Sequence, residues 1–207
     1  MDLSGNLRPM RLLKRLFDIL ISLSLILLFL PIFCIIAIFI ILFDGLPVLF
    51  IQNRIGYKGR SFSLIKFRTM RSSKKNIEES FLVGNSSRVT FFGKFLRKSK
   101  LDELPQLVNV LFGSMSFVGP RPELKEWVNA YPDRWLKIHS IKPGITDPAS
   151  ILYRHEEKIL NASINPKATY REIILPHKLS IYEKYIDNWS FFGDITILFK
   201  TIFSIFR

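Results

Sequence analysis

The stretch Ile19–Phe43, ILISLSLILLFLPIFCIIAIFIILF, holds no charged residue over about 25 positions, and it is the strongest structural signal in the chain. A helix of that length spans ~38 Å, which exceeds the ~30 Å hydrocarbon core of a bilayer. A signal peptide has a shorter apolar core of about 7–15 residues and a cleavage site of small residues, and neither is found here. The stretch therefore predicts a helix that enters a membrane.

Two features of this stretch favour a helix that enters and leaves the same leaflet. Pro31 lies at its midpoint, where proline removes one backbone hydrogen bond and kinks the helix. Both flanks are basic, and the positive-inside tendency would hold both of them in the cytoplasm. We therefore predict a re-entrant helix with its break at Pro31, and a single kinked spanning helix is the alternative. The basic flanks contain Arg8, Arg11, Lys14 and Arg15 before the stretch, and Arg54, Lys58, Arg60, Lys66, Arg68 and Arg71 after it.

The composition points to anionic partners. Thirty basic residues against 17 acidic ones give the 207-residue chain a formal net charge of +13, while 48% of its residues are hydrophobic. Lipid head groups, phosphorylated small molecules and nucleic acid are the candidate partners. The lone cysteine, Cys34, can form no intramolecular disulfide, which fits a reducing compartment.

The remaining chain predicts a mainly helical α+β fold with a small β-hairpin. Two β-prone runs, at 48–51 and 62–67, flank a glycine-containing turn. Residues 88–100 form an amphipathic segment with a basic face, suited either to a membrane surface or to the protein's own core. The tail, 191–207, reads as an interfacial helix or a contact surface. We expect two parts: the basic flank and membrane helix in 1–45, and the remaining domain in 46–207.

Two adjacent carboxylates, Asp102 and Glu103, stand out in this basic chain. On a helix they point about 100° apart, so separate roles are more natural than a shared proton. A carboxylate can attack phosphorus, and a neighbouring one suits Mg²⁺, which binds one or two carboxylates together with substrate phosphates. The structural alternative is helix capping, because Ser99 and Asp102 fit the spacing of a capping box.

Three cationic side chains are candidates for binding phosphate. Arg121 lies between Pro120 and Pro122, which restrict its backbone, and a pre-oriented guanidinium is a good phosphate clamp. Its alternative role is a buried Arg–Glu pair, for which Glu123 is the candidate partner. Lys66 and Arg68 alternate on a predicted strand and share one face, which either lines an anion site or is solvated.

Six short motifs along the chain, in their order and their residues, resemble those of the bacterial sugar transferase family. These are the monotopic phosphoglycosyl transferases that start lipid-linked glycan assembly. The resemblance runs from about Lys14 to the C-terminal helix and indicates the small, single-domain form. Two departures stand out: Leu30 precedes Pro31 where many members have Ser, and Asp147-Pro148-Ala149-Ser150 replaces Gly-Trp-Ala-Gln. The motifs are Lys14-Arg15-x-Phe17-Asp18, Gln52-x-Arg54-x-Gly56, Lys66-Phe67-Arg68-Thr69-Met70, Leu101–Leu107, Phe117-Val118-Gly119-Pro120-Arg121-Pro122 and Lys142-Pro143-Gly144-Ile145-Thr146.

The resemblance implies a reaction and a set of roles. A phospho-sugar would pass from a UDP-sugar, of the N-acetylhexosamine type, to polyprenol phosphate (undecaprenyl phosphate), with release of UMP. Asp102 would be the nucleophile that forms a phosphoglycosyl-enzyme intermediate, and Glu103 would hold Mg²⁺. Arg121, with Pro120 in its loop, would contact the phosphates, supported by Lys66, Arg68 and Arg97. The enzyme would lie in the bacterial inner membrane, with its catalytic domain on the cytoplasmic face among anionic phospholipids.

Three other hypotheses stay open at this point. Asp102 could act only as a base for direct attack by polyprenol phosphate. The net charge and the aromatic residues would also suit a membrane-tethered nucleic-acid-binding protein, although the sequence has no such motif and we expect no nucleic acid partner. A non-catalytic membrane scaffold is the third, and a homo-oligomer is compatible with all of them.

Overall fold

A computed structural model of the chain describes residues 4–71 and 88–205. The polar segment 72–87, for which the sequence predicts a surface loop or a frayed helix, lies outside the described residues. Within the described residues the fold is mostly helical with small two-stranded sheets, as the α+β prediction required. The strands are β1 (Leu49–Ile55), β2 (Ser61–Phe67), β3 (Ser116–Val118) and β4 (Gly144–Thr146). The helices are α1 (Ser4–Asp44), α2 (Phe91–Lys98), α3 (Gln106–Phe112), α4 (Lys125–Ala130), α5 (Pro132–Ile138), α6 (Pro148–Leu152), α7 (Glu156–Asn161), α8 (Pro166–Thr169), α9 (Leu175–Asp187) and α10 (Phe191–Ile205).

The apolar stretch lies in one long helix, α1. Its 41 residues extend about 62 Å, and by length and composition the part from Pro9 to Asp44 is sufficient to cross a membrane. The helix continues through Pro31 without a break into two segments. Most of its large apolar side chains are exposed, including Leu27, Leu28 and Leu42. Such a surface requires an apolar environment.

The N-terminal part of α1 is tied to the rest of the protein by the residues of the first motif. Lys14 donates to the carbonyl of Val118 at 2.7 Å and forms an ion pair with Asp194 of α10. Asp18, which is buried, accepts a hydrogen bond from the amide of Phe117 at 3.2 Å. Arg15 donates to the last carbonyls of α3, those of Val110 and Leu111, at 2.7 and 2.8 Å. Basic side chains satisfy the free carbonyls at helix ends in this way.

The predicted hairpin is confirmed. Strands β1 and β2 pair antiparallel, with Leu49 opposite Phe67 and Ile55 opposite Ser61. The turn between them includes Lys58 and Gly59, both with positive φ, and this favours glycine at the second position.

A second, parallel sheet forms where the prolines and glycine of residues 142–148 predict a constrained loop instead. Strand β4 pairs with β3, with Ser116 opposite Gly144. The two backbones are so close that a Cβ on Gly144 would lie 2.2 Å from the amide nitrogen of Gly119. The sequence from Trp127 to His139 predicts one helix, but the structure divides it into α4 and α5 at Tyr131, before Pro132.

Helix α2 packs on the protein's own core with one face, and its role at a membrane surface stays a prediction. Leu96 is fully buried and packs with Ile36 and Ile40 of α1 and with Phe67 of β2. On the other face Phe91 is 94% exposed, and Phe95 is exposed as well. Helix α10, predicted in the tail, likewise exposes apolar side chains. Those of α10 are Phe192, Phe199, Ile202 and Phe203.

Candidate functional site

The carboxylate pair lies in a tight turn between α2 and α3. Helix α2 ends at Lys98, and Lys100 then takes a left-handed backbone conformation with φ 59°. Residues Leu101–Glu103 form a 3₁₀ turn before α3 begins at Gln106. A lysine in the left-handed region is uncommon, and such residues cluster at functional sites.

Glu103 is the centre of a buried ion-pair cluster. Its Oε1 atom accepts from Nζ of Lys66 at 2.8 Å and from Nη2 of Arg121 at 2.6 Å. Its side chain is 13% exposed. Burial alone would raise the pKa of Glu103, but the two cations hold it well below the usual value. Glu103 is therefore ionised, and it fixes Lys66 and Arg121 next to each other.

Asp102 is also buried, at 9% exposure, but its environment differs. Its Oδ1 atom is buried and has no hydrogen-bond partner among the described residues. Burial and the negative charge of Glu103 raise the pKa of Asp102, while Lys66, Lys100 and Arg97 act in the opposite direction. The capping hypothesis is wrong for Asp102, because Lys100 and Pro105 occupy the cap positions of the 3₁₀ turn and of α3. An unpaired buried oxygen is costly, and a ligand that bonds to Oδ1 would offset this cost.

The loop that carries Arg121 is held from two sides. The amide of Gly144 donates to the carbonyl of Pro120 at 3.0 Å, which continues the contact between β3 and β4. On the other side, the amide of Ile55 in β1 donates to the carbonyl of Glu123, also at 3.0 Å. The Arg–Glu pair considered for Arg121 exists, but its partner is Glu103 rather than Glu123.

Glu123 instead belongs to a neighbouring buried network. It pairs with Arg54 at 3.3 Å and accepts from the hydroxyl of Tyr170 at 2.6 Å. Arg54 also donates to the side-chain oxygen of Gln52 at 2.8 Å. The Gln52-x-Arg54 motif thus supports the loop around Arg121 through the contact of Arg54 with Glu123.

The remaining predicted phosphate-binding residues have different surroundings. Arg97 donates through Nε to the hydroxyl of Thr69 at 3.0 Å, within electrostatic reach of Asp102. Arg68 is not brought into the cluster around Glu103. Its guanidinium donates to three carbonyls at the end of α1, those of Asp44, Gly45 and Leu46. In the structure Arg68 stabilises the end of the long helix, and a contact with phosphate stays a prediction.

A cleft of about 470 Å³ opens at the Glu103 cluster. Glu103 and Arg121 line it together with Lys98 and Lys100, and Phe117 contributes to its apolar lining. Its volume lies within the usual range for sites that bind small molecules. Its cations and its apolar wall suit an anionic ligand that also carries less polar parts.

The carboxylates of this site could hold Mg²⁺ only if a bound ligand supplied further oxygen atoms. Among the described residues there is no group of three or more metal-binding side chains. Both cations that contact Glu103 do so at Oε1, which leaves Oε2 as a candidate ligand, and Oδ1 of Asp102 is unpaired. Mg²⁺ requires no more than one or two carboxylates where substrate phosphates complete its coordination.

We predict a pH effect from the charges around Asp102. An attacking carboxylate must be ionised, so activity is present above its pKa and is lost as the pH falls through it. Lys100 lowers the pKa of Asp102. In Lys100→Ala the acid limb of kcat/KM is therefore expected to move to higher pH. The control is Lys94→Ala on the exposed face of α2, and a limb that stays in place or moves to lower pH contradicts the prediction.

Sequence reasoning missed one wall of the cleft. It contains Tyr153, which directly follows α6, Glu156 of α7 and Lys178 of α9, and these residues show no recognisable spacing. Asp147 is fully buried and caps α6, accepting from the amide of Ser150 at 2.8 Å. Its signal was visible, since an Asp followed by Pro is typical of a helix start.

The structure thus brings together a carboxylate pair in a turn, a cationic cleft and a long apolar helix. The sequence profile of the bacterial sugar transferase family matches residues 9–207. The chain is 33% identical to the exopolysaccharide production protein ExoY of Rhizobium meliloti (strain 1021), over 96% of this chain and 88% of the relative. It is 40% identical to the sugar transferase EpsL of Bacillus subtilis (strain 168), over 76% of this chain and 69% of the relative.

A third relative has a specific name. It is the UDP-glucose:undecaprenyl-phosphate glucose-1-phosphate transferase of Escherichia coli (strain K12), 36% identical over 93% of this chain but only 40% of the relative. The chain belongs to the bacterial sugar transferase family, and it is a transferase. This placement does not favour the nucleic-acid-binding hypothesis.

Proposed function

We propose that this enzyme transfers a sugar 1-phosphate from a UDP-sugar to polyprenol phosphate, releases UMP and so initiates the assembly of a lipid-linked glycan. The observation that carries the proposal is the unpaired Oδ1 of Asp102 next to the Glu103–Arg121 pair. The names of the relatives support it, since the E. coli protein uses a UDP-sugar and undecaprenyl phosphate.

The first half-reaction uses Asp102 as the nucleophile. Its Oδ1 attacks the phosphorus that carries the sugar, and the bond from that phosphorus to the bridging oxygen breaks. UMP leaves with this oxygen, and an acyl phosphate bearing the sugar stays on Asp102. Arg121, held by Glu103, binds the diphosphate and offsets its charge.

The second half-reaction transfers the phospho-sugar to the lipid. An oxygen of polyprenol phosphate attacks the same phosphorus, and the bond to Asp102 breaks, which restores the carboxylate. Mg²⁺, held by Glu103 and the substrate phosphates, would supply further stabilisation of the negative charge. Lys66 fixes Glu103 from the side of β2 in both steps.

The proposal includes the arrangement at the membrane. We place α1 as a re-entrant helix bent at Pro31, with the exposed aromatic side chains of α2 and α10 at the surface of the bacterial inner membrane and the cleft on its cytoplasmic side. Support comes from the basic residues on both sides of the apolar stretch and from the exposed Phe91 and Phe203. Pro31 deprives the carbonyl of Leu27 of its helical partner, which permits a bend.

Cysteine labelling tests this topology. In a Cys34→Ser background, Arg11→Cys and Ser61→Cys are each exposed to a membrane-impermeant maleimide. A re-entrant helix predicts that neither is labelled in intact spheroplasts and that both are labelled in inverted vesicles. Labelling of Arg11→Cys in spheroplasts would establish a spanning helix instead, and the Cys34→Ser parent gives the background.

UMP release tests the proposed reaction. Purified protein in detergent is incubated with Mg²⁺, undecaprenyl phosphate and a panel of UDP-hexoses and UDP-N-acetylhexosamines. We expect UMP from one donor or a few, and a lipid-linked phospho-sugar in equal amount. Omission of Mg²⁺ should suppress the reaction. An absence of UMP across the whole panel contradicts the proposed function.

A further inference from the structure

Lys178 of α9 is a buried lysine that faces the cleft. It is 5% exposed, yet it lines the same cavity as Glu103 and Arg121. Lysine is rarely buried to this extent unless its charge is compensated. The group that compensates it should therefore lie in the wall of the cleft.

That group is the carboxylate of Glu156, which forms a short ion pair with Nζ of Lys178. The ammonium also lies 5.7 Å from the ring centre of Tyr153 and 5.2 Å from that of Tyr170. Cation–π contacts of this kind hold an ammonium in a fixed place. Glu156 keeps 26% of its side chain exposed, so it presents a carboxylate to the cleft.

Arg121, Glu156 and Lys178 all line the same cleft, and Asp147 is buried near two of them. Burial raises the pKa of Asp147, while the charges of Lys178 and Arg121 both oppose the rise. The Asp147 carboxylate therefore lies within electrostatic reach of both cations. A ligand that contacts Arg121 through its phosphates can extend along this wall to Glu156.

The chemistry of the wall matches a ring with several hydroxyl groups. A carboxylate only accepts hydrogen bonds, an ammonium only donates them, and each hydroxyl does both. The edge of a uracil ring is flat and uncharged, so amide groups would match its hydrogen-bonding atoms better than a carboxylate and an ammonium do. The stereochemistry of hydroxyl groups differs among hexoses, so a fixed carboxylate can distinguish them.

We propose that Glu156, positioned by Lys178 and flanked by Tyr153, binds hydroxyl groups of the donor's sugar and determines which hexose the enzyme accepts. This inference rests on the proposed function, since it assigns a part of the same cleft. Glu156 touches the substrate, and Lys178 acts through Glu156 as a positioning residue.

The test compares donor preference in variants. For wild type, Glu156→Gln, Lys178→Met and Lys178→Arg, kcat/KM is measured for the best donor and for its C4 epimer. The inhibition constant of UDP is measured in parallel, because UDP has no hexose. We expect Glu156→Gln to change the preference ratio by about tenfold or more, mainly through KM, and to leave UDP inhibition within about twofold. Lys178→Met should act like Glu156→Gln, and Lys178→Arg should restore most of the preference.

A matched control is Asp187→Asn, which breaks a lysine–carboxylate pair of α9 with Lys137 on the surface. It should leave the preference ratio unchanged. An unchanged ratio in Glu156→Gln overturns the inference, and so does an equal loss for both donors with weaker UDP inhibition. If the Lys178→Met variant does not fold, the donor preference of Glu156→Gln alone tests the inference. An inactive wild type would refute the proposed function itself, whereas an active wild type with an unaltered ratio refutes only the role of Glu156.

Discussion

Asp102→Asn is expected to lower kcat for UMP release by at least ~10³-fold while the protein remains folded. The amide is nearly the same size as the carboxylate, so the packing of the turn is kept. It cannot, however, attack phosphorus as an anion. The measurement is UMP formation by wild type and variant at saturating donor and acceptor. Asp133→Asn, at an exposed site in the first turn of α5, is the control and should retain full activity.

A single-turnover experiment with the wild-type enzyme separates the two mechanisms that the sequence left open. With donor but no acceptor, a nucleophilic Asp102 predicts one equivalent of UMP per enzyme and a phospho-sugar adduct on the peptide that contains Asp102. A carboxylate that acts only as a base predicts neither product until the lipid is added. Activity of Asp102→Asn equal to that of wild type would remove Asp102 from the chemistry.

Glu103→Gln is expected to damage both stability and activity. Lys66 and Arg121 share the charge of Glu103, and its loss leaves these two partly buried cations without their anion. Breaking one partner out of a fully buried ion pair costs about 3–5 kcal/mol, and because a third of the Arg121 side chain is exposed, the loss of stability should lie below that range but above about 1 kcal/mol. A misplaced Arg121 would also lower kcat/KM by about 10²-fold or more. Thermal unfolding in detergent and steady-state kinetics measure the two effects.

A surface pair provides the comparison for Glu103. Glu183→Gln removes the carboxylate that pairs with Arg134 at 2.7 Å on the surface of α5 and α9. Because this pair is partly exposed, its loss should cost less than about 1 kcal/mol and leave kcat/KM unchanged. Equal unfolding temperatures for Glu103→Gln and wild type would mean that the buried cluster does not stabilise the fold.

The local elements could be predicted from the sequence because their signals are local. The apolar run, the alternation in β1 and β2, and the amphipathic α2 each depend on neighbours within a few residues. The acidic pair was visible as a rare charge in a basic chain. Its cluster with Lys66 and Arg121 could only be proposed, because these residues are distant in sequence and meet through the tertiary fold.

The features that the sequence did not predict depend on contacts between distant residues or on elements too short to show a pattern. Strand β4 contains only Gly144–Thr146, and its partner β3 is equally short, so neither carries a periodic pattern. Arg68 was placed with Lys66 by alternation, but β2 ends at Phe67, and the next side chain contacts α1 instead. The Glu156–Lys178 pair joins two helices whose proximity no short motif encodes.

The bonds from Lys14, Arg15 and Asp18 to the rest of the protein have a consequence for how the enzyme meets its lipid. They join α1 rigidly to α3, β3 and α10, so on the proposed membrane arrangement the distance from Asp102 to the lipid surface is constant. Asp102 cannot move toward the acceptor, so the lipid phosphate must arrive by lateral diffusion in two dimensions. Catalytic rate should then depend on membrane fluidity and on how far the acceptor's phosphate protrudes from the bilayer.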